Sequence, residues 1–193
     1  INLIDGGTYM LLAPGTVQIL YGDETARPLA WTDKFTWGIY KDLTYRSFMN
    51  WDKLNSNVSP ESNVLNHWKK VANFRKNHIA IGAGKNIKIK NSGEIYYAFG
   101  RIYFDTNYID RVVCAVNIIG TKVIDVSKVF SNNIIVRDAY TNETCKVEDG
   151  IVLFRHGQNR VRLIEKVGEY PEIISNVQSE QYIKDTLDVD IYL

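Results

Sequence analysis

The sequence has little of what marks several common classes of protein. Neither sign of charge predominates, since 23 lysine and arginine residues stand against 22 aspartate and glutamate residues. A binder of nucleic acid or of an anionic membrane needs a basic patch or stripe, so we expect neither partner. The longest apolar runs fall far short of the roughly 20 residues that a helix needs to cross a bilayer. Apolar content of 45% and charged content of 23% are ordinary for a globular protein.

Cysteine and histidine are scarce as well. The two cysteines are Cys114 and Cys145, and the three histidines, His67, His78 and His156, do not have metal-ligand spacing. We expect two unpaired buried thiols rather than a disulfide, because free cysteine is often buried. Each histidine is expected to be a surface or packing residue, and no metal site is expected. Cysteine use leaves the cell compartment open.

The termini predict that the chain is a segment of a longer polypeptide. It begins at Ile1 rather than at methionine, shows no signal peptide, and stops at Leu193 in the middle of a predicted strand.

The stretch from Gly15 to Glu24 organises the first part of the chain. Its apolar residues lie between two glycine-containing turns, which predicts a short buried strand ending in an acidic turn. Before it, Leu3 to Ala13 predicts a helix whose Gly6-Gly7 pair lets it lie close against a sheet. After it, a long polar loop runs from Gly22 to about Asn57. This order is typical of parallel α/β folds, in which the loop after a strand handles ligands.

The clearest predicted helix runs from about Pro60 to Asn77. Ser59 suits the N-cap and Glu61 the first turn, where a carboxylate complements the helix dipole. A stripe at helical spacing predicts the buried face: Val64, Leu65, Trp68, Val71 and Ala72.

After Gly84 the periodicity changes to that of strands. Nine short β-rich runs follow, with turn signals and no helix between them: Ile87 to Lys90, Glu94 to Phe99, Arg101 to Phe104, Arg111 to Asn117, Lys122 to Asp125, Asn133 to Arg137, Cys145 to Val147, Ile151 to Arg155 and Val161 to Glu165. They predict an antiparallel β-sandwich of roughly eight strands.

Four stretches resemble the α-amylase family, glycoside hydrolase family 13. Ala13 to Glu24 resembles its eighth barrel strand, P/V-Q-I-x-Y-G-D/Q-E, and Tyr45 to Asp52 resembles the R-x-x-M-x-W pattern that follows. Trp68 to Ile81 resembles the last barrel helix, which ends x-L-x-x-L-R-x-x-H-P-A-L, with Ile79 where the family often has proline. Asp138 to Val147 looks like the D-x-x-T/S-G-x-x-Y hairpin of the C-terminal domain.

The resemblance implies an α+β fragment in three parts. Residues 1–83 would be the last strand and helices of a (β/α)8 catalytic barrel, and residues 84–167 an antiparallel β-sandwich C-terminal domain. Residues 168–193 would be a linker and the start of a further β module.

The resemblance also implies a parent enzyme that hydrolyses α-1,4-glucosidic bonds of starch or maltooligosaccharides with retention. Its three acids follow barrel strands four, five and seven, which are expected upstream of Ile1, and the N-H-D triplet that carries one of them is absent here. We therefore assign no catalytic residue to this segment and expect it to be inactive alone.

Within the loop, Asp42 and Arg46 are the predicted substrate-binding residues. An Asp-x-x-x-Arg pair after the eighth strand binds sugar hydroxyls in amylases that have it. The resemblance thus implies that Asp42 accepts hydrogen bonds from sugar hydroxyls and that Arg46 orients Asp42. The alternative is an ion pair that only stiffens the loop.

Two further groups in the loop have weaker signals. The side chains of Asp23, Glu24 and Arg27 favour an anchoring network over a second sugar contact. Trp31 or Trp37 could stack on a sugar ring, or the loop's aromatic rings could simply pack against one another.

The expected partners are an α-glucan or maltooligosaccharide and the missing N-terminal portion of the barrel. No cofactor is expected in this segment, although the family allows calcium in the parent enzyme, and a secreted or periplasmic location is favoured. Two alternative functions stay open: a non-catalytic carbohydrate-binding or interaction module, and a glucanotransferase of the same family.

Overall fold

A computed structural model describes residues 2–28, 46–89, 96–155, 159–168 and 171–174. The chain divides into two compact units: Ile1–Leu11 with Val17–Ala72, and Leu12–Thr16 with Asn73–Leu193. Among the described residues no helix is long and apolar enough to cross a membrane. The division places residues 73–83 with the strands that follow them, whereas the three-part division at residues 83 and 167 stays a prediction.

Helices dominate the first unit. They are α1 (Leu3–Leu11), a 3-10 turn (Asp23–Thr25), α2 (Trp51–Asn55) and α3 (Glu61–Asn77), whose last turn belongs to the second unit. The helix expected from Pro60 to Asn77 is confirmed with a start one residue later. Its buried face is Val64, Trp68, Val71 and Phe74, while Leu65 and Ala72 are half-buried.

α1 packs closely on α3 through a glycine. A Cβ added to Gly7 would lie 2.5 Å from Trp68 Cε2, and Trp68 Nε1 donates a hydrogen bond to the Leu3 carbonyl at 3.0 Å. The sequence predicted close packing of this glycine pair against a sheet. That partner was wrong, because the close neighbour of Gly7 is an indole ring on a helix.

The buried strand predicted from Gly15 to Glu24 is not formed in this chain. Residues 16–20 have no regular secondary structure, and Asp23–Thr25 form the 3-10 turn. Ile19 and Leu20 are 41% and 52% exposed. The physical reason is that a barrel strand takes its backbone hydrogen bonds from neighbouring strands, and no described strand pairs with residues 16–20.

The second unit begins with the end of α3 and with α4 (Ile79–Ala83), and then becomes all β. Its strands are β1 (Lys85–Lys88), β2 (Tyr97–Asp105), β3 (Tyr108–Val116), β4 (Lys122–Asp125), β5 (Ile135–Asp138), β6 (Thr144–Lys146), β7 (Ile151–Phe154), β8 (Val161–Lys166) and β9 (Glu172–Ile173). The large sheet has the order β1-β2-β3-β8-β5-β6, with β9 also pairing with β3, and β4 pairs with β7 in a second sheet. Every pairing is antiparallel, which confirms the predicted fold class.

The core of the second unit takes apolar side chains from both sheets. Val113 and Ile164 are opposite each other on β3 and β8, and they share a buried cluster with Ile124 of β4 and Phe154 of β7. The second face of the large sheet carries Asp110 and Glu165, and it is in contact with α4. A β-sandwich of the predicted kind results.

β9 extends the large sheet. It pairs with β3 at Tyr108 and Ile109, and the Glu172 carboxylate lies 3.1 Å from Arg111 Nη2 and 2.8 Å from Lys166 Nζ. The further β module predicted after Gly168 lies mostly outside the described residues.

Candidate functional site

The candidate site lies where the two described segments on either side of residues 29–45, which the sequence predicts to be a long loop, meet. Arg27 joins the two sides. Its Nη1 donates to the Ser47 carbonyl at 3.0 Å and also to Ser47 Oγ, and its Nη2 donates to the Tyr21 carbonyl at 3.2 Å. The Tyr21 hydroxyl donates to the same Ser47 carbonyl. We call the set Tyr21, Gly22, Arg27 and Ser47 the loop clasp.

Glycine is required in the loop clasp. Gly22 has φ of 95°, and a Cβ there would lie 2.1 Å from Arg27 Nε. The guanidinium carbon of Arg27 lies 4.3 Å from the centre of the Tyr21 ring, in a cation–π contact. The Arg27 side chain therefore lies against the backbone of Gly22, where any side chain larger than hydrogen would clash with it.

A second tie lies beside the loop clasp. Asn50 Nδ2 donates to the Thr25 carbonyl at 2.9 Å, and Thr25 Oγ1 donates to the Gly22 carbonyl at 3.1 Å. Thr25 and Asn50 are 3% and 6% exposed. Both ties therefore hold residues 21–28 against residues 46–50, the two segments that flank residues 29–45.

Of the two predicted substrate-binding residues, Arg46 is exposed and directly precedes Ser47 of the loop clasp. Asp42 lies outside the described residues, as do Trp31 and Trp37. The Asp42–Arg46 pairing therefore stays a prediction.

In the acidic turn, the described carboxylate contact of Glu24 is with a backbone N–H. Glu24 Oε2 accepts a hydrogen bond from the Gly22 N–H at 2.8 Å, and Arg27 binds Ser47 and Tyr21 as described. These contacts fit the anchoring network predicted for Asp23, Glu24 and Arg27. Asp23 and Glu24 occupy a 3-10 turn rather than the expected strand end.

A buried ionic cluster lies in the second unit. The sequence did not predict it, because His78 was expected to be a surface or packing residue. His78, between α3 and α4, is 1% exposed. Its Nδ1 lies 2.7 Å from Asp110 Oδ1 and its Nε2 lies 2.6 Å from Glu165 Oε2. Glu165 Oε1 also accepts from Arg137 Nε at 2.8 Å, and Asp110 Oδ2 accepts from the Ala80 N–H. We call these residues the His78 cluster: His78, Asp110, Glu165 and Arg137.

The charges of the His78 cluster balance when the imidazole is protonated. Burial alone would lower the pKa of His78, but the hydrogen bonds and charges of Asp110 and Glu165 outweigh burial and raise it. Burial would raise the pKa of Glu165, yet the bonds from His78 and Arg137 lower it. A protonated imidazole between two carboxylates, out of reach of solvent, ties the end of α3 to the sheet and cannot touch a substrate.

His67 and the two cysteine thiols lie outside the His78 cluster. His67 Nε2 lies 2.8 Å from Thr8 Oγ1, and burial lowers the pKa of His67. Both cysteines are free, as expected, but Cys145 is only half-buried, because it lies on the edge strand β6. His156 lies outside the described residues. In the described part of the chain, no group of three His, Cys, Asp or Glu side chains could hold a metal ion.

Comparison with known proteins gives a sequence relative and several structural ones. No protein-family profile matches the chain. Over 76 residues, 39% of this chain, the sequence is 43% identical to the periplasmic α-amylase of Escherichia coli (strain K12), of which the match covers 10%.

Solved structures of amylases have the same fold. An Anoxybacillus α-amylase superimposes with a TM-score of 0.58 at 15% identity, over 85% of this chain and 32% of that one. AmyP in complex with maltose gives a TM-score of 0.58 at 13% identity, over 88% of this chain and 35% of that one. This chain thus spans about a third of the length of those structures. The sequence match over 76 residues and the fold shared with the amylase structures support the resemblance to the α-amylase family, glycoside hydrolase family 13.

Proposed function

We propose that the chain is the C-terminal segment of an α-amylase-like glycoside hydrolase. The parent enzyme hydrolyses α-1,4-glucosidic bonds of starch or maltooligosaccharides with retention of configuration. The sequence match to a periplasmic α-amylase carries this proposal. The same relative favours a secreted or periplasmic location.

The segment contributes substrate contacts through the long loop. Asp42 accepts hydrogen bonds from sugar hydroxyls, and Arg46 orients its carboxylate. Support comes from the base of the loop, which the loop clasp holds closed beside exposed Arg46. The maltose bound to AmyP supports a maltooligosaccharide as the ligand class.

The second partner is the N-terminal portion of the barrel. Residues 16–20 would become its last strand by pairing with strands outside this chain. Exposed Ile19 and Leu20 support this, because apolar side chains on an unpaired segment offer a surface for neighbouring strands to cover.

Kinetics on the full-length enzyme test the role of Asp42 and Arg46. Asp42→Ala and Arg46→Gln should each raise KM for maltoheptaose by about tenfold, because each removes a charge-assisted contact. The melting temperature should change little. Unchanged KM in both variants would contradict the role in substrate binding.

Two alternatives make different predictions. A non-catalytic carbohydrate-binding module would bind maltoheptaose in calorimetric titrations while the full-length protein releases no product. A glucanotransferase would convert maltoheptaose into longer and shorter chains with little net gain of reducing ends.

A further inference from the structure

We infer that Arg27 is a positioning residue for sugar binding, which sets the place of Arg46 by holding the adjacent residue Ser47. The inference rests on the proposed role of Arg46. It adds a residue that lies outside the predicted Asp-x-x-x-Arg pair and that touches no substrate itself.

Arg27 binds both the backbone and the side chain of Ser47. Its Nη1 reaches both the carbonyl oxygen and the hydroxyl oxygen of Ser47, and Ser47 Oγ donates onward to the Pro28 carbonyl. A side-chain bond and a backbone bond to one residue fix its position and its orientation. Because successive Cα atoms are about 3.8 Å apart, fixing Ser47 also fixes where Arg46 begins.

An arginine suits this position better than a lysine. The guanidinium presents several N–H donors on a rigid planar fork, so it can bind Ser47 and the Tyr21 carbonyl together while lying over the Tyr21 ring. An ammonium group is a point charge on a flexible stem and would keep only part of this set. Gly22 supplies the space through which the Arg27 side chain passes.

The effect expected of Arg27 is on affinity rather than on bond cleavage. A long arginine side chain loses conformational freedom when it orders on a ligand, and a backbone that is already fixed reduces that loss. Loosening Ser47 therefore weakens sugar binding, while the catalytic acids of the parent enzyme are unchanged. KM should rise and kcat should stay nearly constant.

Two measurements on the full-length enzyme test the inference. Arg27→Gln should raise KM for maltoheptaose about fivefold, with kcat within about twofold. It should also speed tryptic cleavage after Arg46, at the Arg46–Ser47 bond, by about fivefold, because an anchored backbone resists cleavage. Arg27→Lys should fall between wild type and Arg27→Gln in both measurements, and Arg155→Gln, an exposed arginine on the second unit, is the matched control.

Should Arg27→Gln fail to fold, Ser47→Ala provides the same test by removing only the hydroxyl contact, with a smaller rise in KM. The pair Arg27→Gln and Arg46→Gln separates positioning from general destabilisation. If Arg27 acts through Arg46, the double variant should have the KM of Arg46→Gln alone. Additive increases in KM would overturn the inference.

Three further results would contradict the positioning role of Arg27. Raised KM in Arg46→Gln with unchanged KM in Arg27→Gln overturns the positioning role and leaves the proposed function intact. Unchanged KM in Arg46→Gln contradicts the proposed role of Arg46 and the positioning role with it. Unchanged tryptic cleavage in Arg27→Gln contradicts the anchoring of Ser47 whatever the kinetics show.

Discussion

His78 shows how one residue can be central to stability and still be hard to find in a sequence. It stands in the R-x-x-H pattern at the end of α3, and its partners Asp110 and Glu165 follow 32 and 87 residues later. Nothing local in the sequence marks either acid as its partner. Only the pairing of β3 with β8 brings the two carboxylates to one side of the sheet.

The His78 cluster makes stability depend on pH in two directions. The pKa of His78 is raised above its ordinary 6.5, so its stabilisation is complete below pH 6.5 and is lost as the pH rises through the folded pKa. The pKa of Glu165 is lowered below its ordinary 4.5, so its stabilisation is complete above pH 4.5 and is lost as the pH falls. Both contributions are complete between pH 4.5 and 6.5.

We predict that His78→Gln lowers the free energy of unfolding by about 3–5 kcal/mol at pH 6, because it removes the cation that lies between two buried carboxylates, of which Glu165 keeps its bond to Arg137. Urea denaturation at several pH values measures this. The variant should also lose less stability than wild type above pH 6.5. An equal loss on the alkaline side in both proteins would contradict the protonated imidazole.

His67→Gln is the matched control, since His67 is equally buried. Burial lowers the pKa of His67 below 6.5, so the wild-type residue costs stability as the pH falls through 6.5. Its replacement should therefore change the acidic side of the stability profile and leave the alkaline side alone.

Among the elements, those with strong local periodicity could be predicted from the sequence. The stripe of α3 and the β-rich runs depend on residues within one element. The stripe was confirmed at Val64, Trp68 and Val71, and the runs form antiparallel strands. β2 shows the limit of such reasoning. Two runs separated at Gly100 form one strand, because Gly100 does not break the ladder but makes room for Val129, whose Cγ2 would lie 2.5 Å from an added Cβ.

The prediction of a buried strand from Gly15 to Glu24 was wrong for this chain because it depends on residues outside the segment. Its sequence suits a buried strand, but a strand is buried and paired only where other strands lie beside it. The loop clasp was partly predictable, because Arg27 was expected to anchor. Its main partner Ser47 was not, because the two residues are 20 positions apart in the sequence and no local pattern links them.

We predict that Gly7→Ala destabilises the protein by about 1–3 kcal/mol, although alanine is the better helix former. The added methyl group would meet the Trp68 ring at 2.5 Å, so the two helices must move apart. Gly82→Ala, in α4, is the matched control, since its Cβ would find contacts no closer than 3.4 Å. Thermal unfolding of both variants measures the difference, and equal melting temperatures would contradict the close packing of α1.

Across the chain, helices dominate the first unit and a two-sheet β core makes up most of the second. In the described part of the chain, residues 16–20 have no partner strand, and apolar side chains there are exposed. Those two facts, with coverage of about a third of the amylase structures, support the proposal that residues 16–20 pair with strands outside this chain.

We predict that the amide hydrogens of Val17 to Leu20 exchange rapidly with solvent in this segment and slowly in the full-length protein, where barrel strands would accept their hydrogen bonds. Hydrogen exchange followed by mass spectrometry compares the two. The amides of β3 are the internal control, because β2 and β8 already pair with β3 in the segment. Rapid exchange in both proteins would contradict barrel pairing.

The stereochemistry of maltoheptaose cleavage by the full-length protein tests the proposed parent enzyme most directly. Proton NMR of the first products should show new reducing ends in the α configuration, because a retaining mechanism preserves the configuration of the α-1,4 bond. New reducing ends that appear first in the β configuration, or no cleavage at all, would contradict the proposed α-amylase-like parent enzyme.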